Sequence, residues 1–139
     1  MVAAKAKRTS VDRSLASSYI AKAGQFLRSA ERAAGEAEHD ATMLNAIHAA
    51  LSAGDGVTIA IAGVRSTDPD HRRAADLLQE VAGASQEIKG QVAQLRRLLS
   101  SKNVVEYEAR RVRGAESTEA LKRASRFVAW AREVTDSSS

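Results

Sequence analysis

Seven basic side chains, Lys89, Arg96, Arg97, Lys102, Arg110, Arg111 and Arg113, fall within residues 89–113 against only Glu106 and Glu108. A local excess of +5 on one short stretch is what a phosphate-facing surface requires, because nucleic-acid backbones are gripped mainly through Lys and Arg. An ordinary solvated helix face would carry the same cluster, so that alternative stays open. Tyr107 is the one aromatic inside it, which leaves too few rings for a base-stacking platform. His48 shares a helical face with Leu44 and Leu51, and Asp55 follows seven residues on, so the two read as a buried or half-buried polar pair at a helix or subunit interface. His39 and Asp40 fall in a connector, where they cap a helix or face water. Three histidines without i,i+4 spacing and the lack of any cysteine supply no ligand set for a metal. Glycine-rich phosphate loops and nucleophile elbows are missing as well. No cofactor is expected.

These side chains must be positioned by one domain. The chain has 139 residues, 44% apolar and 27% charged, which suits a single soluble core and excludes a disordered chain. One proline, 4% aromatics and abundant alanine beside Leu, Val and Ile favour helices over a sandwich or barrel. No run of about 18 apolar residues is present and residues 1–10 lack a hydrophobic block, so the expectation is a cytoplasmic protein without a membrane partner. The net charge of +4 permits polyanion binding without requiring it.

Periodicity divides the chain. Residues 1–11 read as a flexible basic arm. Asp12 caps a first helix over 12–35, on which Leu15, Tyr19, Ala23, Phe26, Ala30 and Ala33 line one face until Gly35. The stretch after Gly54-Asp55-Gly56, VTIAIAGV, alternates like a strand. A lone strand would leave its backbone unpaired, so 41–63 is read as one helix. Asp68-Pro69 reads as an N-cap and first residue of a third helix through Ala74, Leu78 and Val81 to Gly83, with His71 on its first turn. A fourth follows with Ile88, Val92, Leu95 and Leu99 on one face, ending at Ser100 and Ser101. Residues 102–116 read as a loop or irregular helix start, and Ser117 or Thr118 caps a last helix carrying Leu121, Ala124, Phe127, Val128, Ala131 and Val134. Residues 136–139 form a disordered tail. The fold class is therefore all-α, an antiparallel four- to five-helix bundle in one domain over 12–135.

The opening helix Tyr19-Ile-Ala-Lys-Ala-Gly-Gln-Phe-Leu, the second helix with Ile47-His48-Ala49-Ala50, and a polar Lys102-Asn103 pair ahead of the closing helix together resemble the HEPN superfamily, over about residues 12–135. The resemblance implies a HEPN-like bundle that pairs as a homodimer. It also implies a metal-independent ribonuclease or RNA-associated activity, a setting in toxin–antitoxin or phage-defence systems, and a partner protein such as a nucleotidyltransferase. Active members carry an arginine, often followed by asparagine, and a histidine four to six residues later. Cleaving RNA through its own 2′-hydroxyl needs a proton carrier that titrates near neutrality and a fixed positive group for the phosphate. At the matching place this chain reads Lys102-Asn103-Val104-Val105-Glu106-Tyr107, so Lys102, Asn103 and Tyr107 form a degenerate catalytic motif. A phenol ordinarily titrates near pH 10, so about one molecule in a thousand presents the base at pH 7, a penalty of roughly 4 kcal/mol. Lysine neutralises a phosphate without the bidentate fork of arginine. Arg96, Arg97, Arg110, Arg111 and Arg113 would hold the nucleic-acid backbone.

A second candidate pair, Arg65 and His71, also has the family's spacing and is the better acid–base pair chemically. It lies between the second and third helices, away from the family's position. The sequence thus points to a HEPN-like protein associated with RNA or a nucleotide and bearing a weakened ribonuclease site. The competing reading is a helical module that binds a partner protein and catalyses nothing.

Overall fold

The structure, a computed structural model, describes residues 5–138. The opening residues 1–4 of the expected arm, and Ser139 of the expected tail, lie outside the described residues. Asp12 accepts the Ser14 backbone N–H at 2.8 Å and starts a single 3-10 turn, Arg13–Leu15, ahead of α1, Ala16–Gly35. A short turn at 36–38 leads into α2, His39–Ala62, so α1 and α2 form a helical hairpin. The alternating VTIAIA segment is thus helical, and α2 packs against α1, α6, α3 and α4 as the central element. By length and mean hydropathy of 1.2 it could cross a bilayer, but 61% of that stretch is buried inside the protein. Alanine and glycine let its neighbours approach closely. A Cβ added at Gly56 would lie 2.8 Å from the Ile20 side chain of α1.

Beyond α2 come α3, Arg73–Ala82, α4, Gln86–Ser100, α5, Lys102–Tyr107, and α6, Gly114–Ser137. Ile47 and Val57 of α2, Leu78 of α3, Leu95 and Leu98 of α4 and Phe127 of α6 meet in one core. Trp130 is packed beside Phe127 with ring centroids 5.5 Å apart, adding an aromatic contact to the buried area. The expected stripes of α4 and α6 face this core, whereas Leu15, read as part of the first stripe, is exposed. The fold is predominantly helical, as its composition implies.

Four expectations need correction. Arg8–Ser10, assigned to a flexible arm, is a strand, β1, antiparallel to β2, Val64–Ser66, with Thr9 opposite Arg65. Gly63 ends α2 at φ 66, a left-handed conformation that suits glycine, and turns the chain into β2. The partner strand was hidden because this ladder is held by backbone bonds, with no apolar alternation in the arm to reveal it. Ala6 is buried beside it, and Arg8 pairs with Glu80 of α3.

The third helix does not begin at Asp68-Pro69. Asp68 Oδ1 accepts the Asp70 backbone N–H at 3.0 Å and Asp70 Oδ1 accepts that of Arg72 at 3.0 Å. These local side-chain bonds hold residues 68–72 in turns that compete with helix, so His71 precedes α3 instead of riding its first turn. Of the two readings of 102–116, the helical one holds for Lys102–Tyr107, which forms α5, but α6 starts at Gly114, ahead of Ser117. Glu116 supplies the reason: its carboxylate accepts the Arg113 backbone N–H at 2.9 Å, closing the helix start from inside. Residues 136 and 137, read as tail, belong to α6, where the buried Thr135 hydroxyl donates to the Ala131 carbonyl at 2.8 Å.

Candidate nucleic-acid cleft

The turn at 67–72, held by its two aspartates, faces the end of α4 and Lys102, Asn103 and Tyr107 of α5. Between them opens a cleft of about 310 Å3 whose walls include Pro69, His71, Arg72, Lys102, Asn103 and Tyr107. Behind it, a second cavity of about 470 Å3 is bounded by Asp55 of α2, Arg65 of β2, Thr67, Asp68, Pro69 and His71. Pro69 and His71 belong to both. The two candidate pairs, far apart along the chain, therefore share one site. His71 stands in the wall, Lys102, Asn103 and Tyr107 lie in front, and Arg65 lies behind.

Electrostatics differ between front and back. Lys102 donates to Glu106 at 2.7 Å, one helical turn along α5, with the two side chains 13% and 20% exposed. That bond holds the Glu106 carboxyl below the ordinary carboxylate range, with the Tyr107 hydroxyl adding to the effect. Tyr107 itself is 76% exposed. His48, half-buried on α2, lies 5.6 Å from the Phe26 ring, and burial first, then the charge of Lys102, pushes its imidazole down. At the back, burial lifts Asp55 to about 7, only partly opposed by Arg65. His48 and Asp55 share one face of α2, as their spacing implies, but His48 packs on Phe26 while Asp55 borders the back cavity.

No family model matches the chain, and no curated protein does. The site must therefore be read from its own chemistry. Of the seven cations clustered in sequence, Lys102 is the one that lines the front cleft. Arg96 is bonded to Asp76 of α3 at 2.6 Å, and Arg110 to Glu116 at 2.8 and 3.1 Å. Arg111 lines a separate cavity of about 330 Å3 beside His39 and Asp40, at the far end of the α1–α2 hairpin. Arg97 and Arg113 are exposed. There the backbone N–H of the buried Val112 donates to Asp40 at 2.7 Å, and Ser117 Oγ lies 3.2 Å from His39 Nδ1. His39 and Asp40 thus fasten the start of α2 to the start of α6.

Sequence reasoning missed Arg72 and read Asp55 only as the polar partner of His48. Arg72 adds a guanidinium to the cleft wall, held by Asp70 through bonds of 3.0 and 3.1 Å. Asp55 is an acid on an otherwise largely apolar helix, facing Arg65, Asp68 and His71 across the cavity. The signal for it was present: a carboxylate enclosed by glycines within an otherwise apolar helical run is costly unless a neighbouring group or a ligand needs it.

Proposed function

We propose that this chain is a HEPN-like protein associated with RNA, which holds a phosphate backbone along the cleft between the 67–72 turn and α5. The observation that carries this reading is the shared wall: His71, from one candidate pair, faces the same cleft as Lys102 and Asn103, from the other. Imidazole is the side chain whose ordinary titration range suits proton transfer near neutrality, so His71 offers what Tyr107 lacks. In this reading His71 takes the 2′-hydroxyl proton as that oxygen bonds to phosphorus, the P–O5′ bond breaks, the 5′-oxygen takes a proton from water, and Lys102 and Arg72 face the phosphate oxygens.

Each cation in the cleft is already bonded to a carboxylate, Lys102 to Glu106 and Arg72 to Asp70. An incoming phosphate must compete with those carboxylates, which weakens its stabilisation and makes the protein a binder first and a slow nuclease second. The test is incubation with mixed RNA in EDTA. Binding is expected to fall as salt rises, because phosphate contacts release counterions, and to weaken in Lys102→Ala. Residual cleavage should vanish in His71→Asn and drop only a few-fold in Tyr107→Phe. An affinity indifferent to both salt and Lys102→Ala would overturn the reading.

A further inference from the structure

The back cavity has a different chemistry from the cleft in front of it. Asp55 is half-buried in the middle of α2, and its carboxylate has no hydrogen-bond donor among the described residues. A half-buried carboxylate without a protein donor is open to a ligand that supplies one, and this one borders a cavity whose volume of about 470 Å3 falls in the range of about 300–1,000 Å3 typical of small-molecule sites. Arg65 stands on the same cavity wall, on β2.

That pairing restricts the occupant. A simple cation would be repelled by Arg65 and a simple anion by Asp55. The complementary molecule is neutral and presents two adjacent donors beside two adjacent acceptors. Among the nucleobases guanine has that arrangement: N1–H and the N2 amino group face a carboxylate, while O6 and N7 accept the guanidinium fork. Adenine and cytosine would set a ring acceptor against the carboxylate, and uracil offers a single N–H between two carbonyls.

We infer that the cavity between Asp55 and Arg65 binds a guanine base, with the Asp55 carboxylate accepting from N1–H and N2–H and Arg65 donating to O6 and N7. The base belongs either to a free nucleotide or to an RNA whose backbone continues past His71 into the front cleft. The second source rests on the proposed function, and the first does not. Burial, which lifts Asp55 to about 7, fits an acid that lacks donors until the base arrives.

The experiment titrates guanosine, adenosine, cytidine and uridine 5′-monophosphates into the full chain by calorimetry, alongside Asp55→Asn and Arg65→Gln. Guanosine monophosphate is expected to bind about tenfold more tightly than the other three, and each variant to lose about that factor. Asp55→Asn keeps the shape of the side chain, and a thermal melt confirms that it folds. Equal affinities for all four nucleotides, or an unchanged guanosine monophosphate affinity in Asp55→Asn, would overturn the inference. Short RNA oligonucleotides with and without guanine separate it from the broader reading. Equal binding of both, lost in Lys102→Ala, keeps the RNA cleft and removes the guanine site. Asp55-dependent binding of the nucleotide with no binding of either oligonucleotide keeps the guanine site and removes the RNA cleft.

Discussion

The two compartments that meet at His71 satisfy their charges in opposite ways. On the α5 side, Lys102 and Glu106 neutralise one another at 2.7 Å within a single helical turn, and the ring of Tyr107 stands in solvent. On the α2 side, Asp55 is half-buried opposite an arginine it does not hydrogen-bond, and its proton is retained to about pH 7. The contrast teaches where this fold carries an unmet requirement. The front is self-sufficient, so a ligand there must compete with an existing bond. The back is under-satisfied, so a ligand there can relieve a cost.

Three changes break or sharpen that contrast. The largest effect belongs to Asp55. Its folded value of about 7 lies above the ordinary 3.8, so the native state binds the extra proton. Its contribution to stability is full below pH 3.8 and is lost as pH rises through 7, reaching a cost of about 4 kcal/mol above that point. Asp55→Asn is therefore expected to stabilise the protein at pH 8 by about 2–4 kcal/mol and to change little at pH 4. Urea unfolding at the two pH values reads the difference. Equal effects at both would place the Asp55 carboxylate in contact with solvent instead of in a buried wall.

A smaller effect is expected at Gly63, which carries the chain from α2 into the strand bearing Arg65. At φ 66, a Cβ would also stand 3.3 Å from the Val11 carbonyl, so Gly63→Ala should cost about 1–2 kcal/mol. Hydrogen exchange should quicken first at Val64–Ser66, and uniform loss of protection across the bundle would contradict a local role. The smallest effect is at the front. A double-mutant cycle on Lys102→Ala and Glu106→Ala should return a coupling of about 0.5–1 kcal/mol, diminished by salt. A coupling of zero would mean that the front cations are available to a ligand after all.

The helices were legible because their apolar residues recur with a helical period. Val92, Leu95 and Leu99 or Phe127, Val128 and Ala131 name their own faces before any packing is known. The β1–β2 ladder was not legible, since Arg8, Thr9 and Ser10 present no apolar alternation. The start of α3 was misread because Asp68 serves an N-cap and an Asx turn equally well, and Asp70 tips the choice by repeating the turn. The site was half legible. Lys102, Asn103 and Tyr107 were singled out by the resemblance to the HEPN motif and Arg65 and His71 by the same spacing, but only tertiary packing places His71 between them. It also disperses the basic cluster: Arg96 and Arg110 turn to Asp76 and Glu116, and a charge count along the chain carries no information about such pairing.

The pairing of Thr9 with Arg65 reaches beyond the fold. Three residues of backbone hydrogen bonding make a short latch, and one end of it lies on the lip of the guanine cavity. Tension or a bound protein acting on the leading segment would therefore be felt both at Arg65, across the ladder, and at α3, through the Arg8–Glu80 pair.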